Sequence, residues 1–177
     1  MYLITLLLFR MVILREVGPF FSRKKMCWQV FPVTGPKQGS GEVSEELVVD
    51  IWFYRTAGRS SFWERLPLVK QFWVIYLIYQ RVVAVAQMLK PDVIHAHSPA
   101  LNGVAAYFAA KKIGLPLVYE VRAFWEDAAV DQGTSSEGGF CYRLTRALEN
   151  FVFKRASQVT AICEGLKNDI DARGLCR

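Results

Sequence analysis

Residues 91–122 read PDVIHAHSPALNGVAAYFAAKKIGLPLVYEVR, and the fold turns on them. "PDVIHAH" is a short apolar strand introduced by Lys90-Pro91. "PALNGVAAYFAAKKIG" has the composition of a helix, rich in alanine, with Lys111 and Lys112 in the last turn and Gly114 as a C-terminal stop. "LPLVYEVR" is a second strand, β-branched and apolar. Strand, helix, strand in that order predicts a right-handed parallel crossover.

The pattern continues downstream. A polar, glycine-containing loop covers 123–140, "YRLTRALENFVFKRA" (142–156) has helical spacing, "SQVTAI" (157–162) is a strand, and "CEGLKNDIDARG" (163–174) is a helix stopping at Gly174. Upstream, "WQVFPV" (28–33) and "LVVDIWFYR" (47–55) read as strands, and 65–89 as one long helix. The expected fold class is therefore α/β, a Rossmann-like, doubly wound, mostly parallel sheet.

Composition narrows the function. A chain of 177 residues, 53% apolar and 21% charged, has enough material for one ordered domain with a sizeable core. Residues 1–90 carry 12 Lys/Arg against 6 Asp/Glu, whereas 91–177 carry 10 against 10, so the whole excess of +6 lies in the first half. "RKK" (Arg23–Lys25), Arg55, Arg59, Arg65 and Lys70 contribute to it. A basic half rich in aromatics suits either a solvated face or contact with anionic lipid or a phosphorylated ligand. No nucleic-acid-binding motif accompanies it, so nucleic acid is not an expected partner.

The start, "MYLITLLLFRMVILREVG", lacks the order of a signal peptide: its charge follows the apolar run, and Arg10 interrupts it. A core strand or helix is expected there. Gln80, Arg81 and Gln87 break up the apolar run Phe72–Leu89, which reads as a helix with one strongly apolar face, buried or lying on a membrane surface. Cys27, Cys141, Cys163 and Cys176 have neither C-x-x-C spacing nor a nearby histidine cluster, which suits free thiols in a reducing cytosol. No Walker loop, G-x-G-x-x-G or G-x-S-x-G is present.

The candidate chemistry lies at the strand ends, where open α/β sheets bind ligands. His95 and His97, the only histidines, fall on one face of their strand by alternation. They can ligate a metal, but no third ligand stands at useful spacing, so no metal is expected. His97 and Ser98 lie on the ligand-binding rim. His97 can touch substrate or share a proton, or be a hydrogen-bonded structural histidine, while His95 reads as supporting structure. In "YEVRAFWED" (119–127), Arg122 offers a planar fork for phosphate or carboxylate, and Glu126 and Asp127 can accept from sugar hydroxyls or pair with Arg122. Glu164, in the turn after Ile162, belongs to the same rim.

"PDVIHAHSPALNG" (91–103), "LVYEVRAFWEDAAVDQGT" (117–134), "YRLTRALE" (142–149) and "VTAICEGLKNDIDARG" (159–174) resemble the N-terminal half of the retaining family-4 glycosyltransferases, which have the GT-B fold. The bacterial group encoded with exosortase and exopolysaccharide systems is the most similar. "VTGPKQG" (33–39) and "FYRT" (53–56) extend the likeness over residues 29–177, and "VILRE" (12–16) resembles the family's first helix.

The resemblance implies one half of a GT-B fold, in an enzyme moving sugar from a nucleotide-sugar to a lipid-linked or polysaccharide acceptor without a catalytic metal or other cofactor. It carries over Arg122 as an acceptor or phosphate contact, while the reading of the strand-end rim makes His97 the expected catalytic residue and Ser98, Glu126, Asp127 and Glu164 the expected substrate contacts. Residues 1–28 form an atypical segment in place of the usual strand and glycine-rich loop. The chain stops at Arg177 without the nucleotide-sugar domain. The expectation is thus an acceptor-side domain, inactive alone or completed by a separate donor-binding chain. A non-enzymatic membrane-surface module is the alternative. The expected location is cytoplasmic, with peripheral contact at the inner membrane face through the basic residues 1–90.

Overall fold

The structure is a computed structural model that describes residues 5–17, 22–35, 45–56, 67–125, 127 and 138–174. Its strands are β1 (Thr5–Val17), β2 (Ser22–Thr34), β3 (Glu45–Val48), β4 (Ile51–Arg55), β5 (Val93–His97), β6 (Leu117–Val121) and β7 (Gln158–Ala161). Its helices are α1 (Pro67–Leu89), α2 (Ala100–Ile113), α3 (Phe140–Phe153) and α4 (Glu164–Ala172). One seven-stranded sheet has the order β3-β4-β2-β1-β5-β6-β7.

The crossover expected from residues 91–122 is present: β5 and β6 are parallel neighbours joined by α2, and β7 adds parallel to β6. Strands β2 and β4 point the same way as these three, and β1 and β3 run against them. The sheet is thus mixed but mostly parallel, within an α/β fold of the Rossmann-like kind.

Two stretches depart from the sequence reading. Val12–Glu16, similar to a helix in the family, is extended within β1, which pairs with β2 along thirteen consecutive residues. Residues 47–55 form a hairpin instead of one strand, with Val49 and Asp50 at φ 46° and 62° as its two-residue turn. Positive φ at both central positions is the type I′ requirement, usually met by Asn-Gly. A β-branched valine gives no such signal.

One face of the sheet is sealed. Leu6, Leu8, Ile94, Ala96, Leu117, Tyr119 and Val121 are buried, and strand alternation puts them all on that face. Helices α1, α2 and α3 lie over it in a row, with α2 in the middle and eight of its fourteen residues buried. Gly114 caps α2 at φ 79°, its N–H bonded to Ala110 O, as the sequence predicts. Arg10, which breaks the first apolar run, donates to Leu89 O at the end of α1 over 3.3 Å.

The tightest contact in this layer is at Gly103. A Cβ there would lie 2.8 Å from Tyr119 Cε2 and 2.8 Å from Val152 Cγ1. Backbone contact of α2 with both β6 and α3 therefore requires glycine. Gly103→Ala should cost about 1–3 kcal/mol through overpacking. That corresponds to a fall of several degrees in Tm, measured by circular dichroism.

Candidate functional site

The opposite face of the same strands gathers the polar residues. Parallel pairing sets His95 beside Val118 and His97 beside Glu120. The two imidazoles lie 4.7 Å apart, centroid to centroid, on the same face as strand alternation predicts. Phe9 of β1 packs against His95 with ring centroids at 5.7 Å.

Glu120 is the hub. Its Oε1 lies 3.1 Å from His97 Nδ1 and accepts from Arg122 Nε at 2.6 Å, while Oε2 is 3.4 Å from His95 Nε2. Arg122 Nη2 lies 3.4 Å from His97 Nε2, so the guanidinium bridges the carboxylate and the second ring. Burial lowers the pKa of both histidines below the ordinary imidazole value, helped by the Arg122 charge and opposed by Glu120. Both rings are therefore neutral at pH 7, and their contacts with Glu120 are not ion pairs. Burial alone would raise Glu120, but the Arg122 hydrogen bond and the neighbouring His97, Arg122 and His95 outweigh it and hold its carboxyl below the usual range.

Backbone and side-chain bonds fix the strand ends beneath this cluster. Ser98 N–H donates to Glu120 O at 2.9 Å, and Ser98 Oγ accepts from Arg122 N–H at 3.0 Å. Asn102, fully buried in the first turn of α2, donates through Nδ2 to His97 O at 3.2 Å. His97 and Ser98 are each only 7% exposed, whereas the Arg122 side chain is 54% exposed. An acceptor-and-ring platform thus carries one solvent-accessible cation, suited to an anionic or hydroxyl-rich ligand arriving at the rim.

The structure brings together His97, Ser98 and Arg122 from the sequence-predicted set. Asp127 does not join them: it is exposed and accepts from Tyr142 Oη at 3.1 Å. Glu164 is exposed too, 3.7 Å from Lys167 on its own helix. Glu126 lies outside the described residues. Arg122 takes Glu120 as its carboxylate, not Asp127.

Sequence reasoning saw Glu120 only as one charge of the strand-end cluster and gave neither it nor Asn102 a role in the site. The lack of a third metal ligand also fails in three dimensions, because Glu120 arrives from the adjacent strand and completes a His-His-Glu group. The signal available was register: residue 97 closes β5 as 120 nears the end of β6. Cys141 and Cys163 are exposed free thiols, in line with the sequence reading.

A second concavity lies between α1 and α2, on the sealed face's outer side. It has a volume of about 640 Å³ and is lined by Phe72, Ile75, Tyr76, Tyr79, Phe108, Lys111 and Lys112. Residues Val69–Leu89 of α1 are long and apolar enough to cross a membrane. In the fold, however, α1 buries Ile75, Leu77, Ile78, Val82, Val85 and Ala86 and exposes Phe72, Tyr76 and Met88. Arg81 sits 5.9 Å from the Tyr54 ring, over the sheet.

Ser98 has a measurable structural role apart from any ligand. Ser98→Ala removes the acceptor of the Arg122 N–H and should cost about 1–2 kcal/mol, read as a lower urea midpoint with unchanged m value.

The profile of the glycosyl transferase 4-like domain matches residues 24–177. A comparison with curated proteins finds no match. The matched span runs from early β2 to the last residue and includes every residue of the Glu120 cluster. On that coverage, the chain belongs to the glycosyl transferase 4-like domain family.

Proposed function

We propose that this domain is the acceptor-side half of a retaining GT-B glycosyltransferase, moving sugar from a nucleotide-sugar to a lipid-linked or polysaccharide acceptor of the exopolysaccharide kind. One observation carries the reading: within a glycosyl transferase 4-like domain, His97, Ser98 and Arg122 converge where β5 and β6 end. In this reading Arg122 binds an acceptor phosphate or sugar hydroxyl, and His97, neutral and held by Glu120, contacts the reacting sugar. A second domain or a separate donor-binding chain grips the nucleotide-sugar, and the domain alone does not turn over.

Binding to the isolated chain tests this directly, with a prenyl-phosphate-linked sugar as probe. Arg122→Gln should weaken binding by about tenfold or more, the worth of a charge-assisted hydrogen bond. In an enzyme completed by a donor domain, His97→Ala should cut transfer strongly and leave Tm nearly unchanged. Tight binding of a nucleotide-sugar by the isolated chain, with none of the acceptor, would overturn the assignment.

The same acceptor class places the domain at the cytoplasmic face of a membrane, and a separate observation favours that contact. Neither α1 nor α2 contains an Asp or Glu. Phe72, Tyr76 and Phe108 are exposed beside Lys70, Lys111 and Lys112. Apolar rings with lysines and no acids suit an anionic headgroup layer. The contact then extends beyond residues 1–90 to include α2. Vesicles containing phosphatidylglycerol should bind the chain at low salt and release it at high salt. Lys111→Glu combined with Lys112→Glu should weaken binding at least about tenfold, since each basic residue near the surface contributes about 1 kcal/mol. Equal, salt-independent binding to neutral vesicles would remove this part of the reading.

A further inference from the structure

We propose that His95, His97 and Glu120 form a binding site for a divalent transition-metal cation of the zinc class, with Arg122 as a built-in competitor. The inference is independent of the acceptor reading, because its readout is the metal itself.

The donor set is the first argument. His95 Nε2, a ring nitrogen of His97 and a Glu120 oxygen all lie within 4.8 Å of one another. Two imidazoles and one carboxylate form a three-ligand set that zinc accepts, with a further position left for water or a ligand oxygen. Metal–ligand bonds of about 2.0–2.1 Å in a tetrahedron put neighbouring donors roughly 3.3 Å apart. His97 Nδ1 lies 3.1 Å from Glu120 Oε1 and His95 Nε2 lies 3.4 Å from Glu120 Oε2, so each ring stands at about that spacing from one of the two carboxylate oxygens.

The second argument is an unspent donor. His95 Nε2 is inaccessible to solvent and makes no hydrogen bond. A buried polar atom left that way is costly, and coordination would satisfy it.

The third argument is that a cation already holds one of these ligand atoms, the Oε1 of Glu120. The Arg122 guanidinium touches Glu120 Oε1 and His97 Nε2. Its backbone is pinned by Ser98, but the half-exposed side chain can rotate into solvent without disturbing the strand. Metal and guanidinium compete for one carboxylate. When the metal binds, Arg122 is released from the platform and changes what the rim offers to an anion.

The test uses the tag-free 177-residue chain, stripped of metal with EDTA. These are its only histidines, so every imidazole signal reports on this site. Titration with Co2+ should give the visible d–d bands of a four- or five-coordinate ion at one equivalent, with both histidine ring resonances perturbed and Zn2+ displacing the colour. His95→Gln and Glu120→Gln should each weaken affinity by at least about tenfold. Arg122→Gln should tighten it severalfold by removing the competitor. Because a ligand substitution can unfold the strand end, the unaltered chain carries its own readout: Zn2+ should raise its Tm, and EDTA should reverse the rise. No rise in Tm, bands dominated by thiolate charge transfer from the cysteines, undiminished binding in Glu120→Gln, or weaker binding in Arg122→Gln each overturns the proposal.

Discussion

The parallel register of β5 against β6 is the constraint on which the other features depend. Setting Ala96 beside Tyr119 and His97 beside Glu120 sends one pair into the helix-covered core and the other to the opposite face. Because side chains alternate with period two, the same hydrogen-bond ladder positions the core and the polar cluster together. A slip of one residue would bury Glu120 under α2 and turn Tyr119 out. The cluster therefore needs no loop to assemble it. Its residues are set by the sheet, and its most exposed member is the long side chain of Arg122.

Much of this was legible in the sequence, and the limits have physical causes. The β5–α2–β6 unit could be read because its signals are local: alternation, alanine richness, basic residues in the last turn and a glycine stop. So could the shared face of His95 and His97, which needs only strand alternation. Partners across strands could not be read, since nothing local says that residue 120 stands beside residue 97. Arg122 was recognised as a cationic fork, but its nearest carboxylate was sought among the acids that follow it. The acid it takes stands two residues before it, projecting from the same face of the strand. The hairpin at Val49–Asp50 escaped notice because a β-branched residue occupies a left-handed position that glycine or asparagine normally marks.

The two faces of the domain differ in character. Acid-free helices α1 and α2 cover one face, with aromatic rings and lysines outermost, while the carboxylate-centred cluster sits on the other. In the proposed setting this lets a negative surface hold one side while the strand ends face away from the helix layer. The long apolar helix is then explained without a membrane crossing. It buries one side against the sheet, and its aromatic residues form a wall of the cleft shared with α2.

Beneath the cluster, Gly103, Tyr119 and Val152 occupy one small volume, one from each of three elements. Tyr119 also reaches across to donate its hydroxyl to the fully buried Glu149 on α3, at 3.0 Å. Accepted substitutions at these positions are consequently not independent. A lineage that enlarges residue 103 must shrink a neighbour, and one that loses the tyrosine hydroxyl takes a hydrogen-bond donor from the carboxylate at position 149. Among related sequences, these four sites should drift as a set even though they are far apart along the chain.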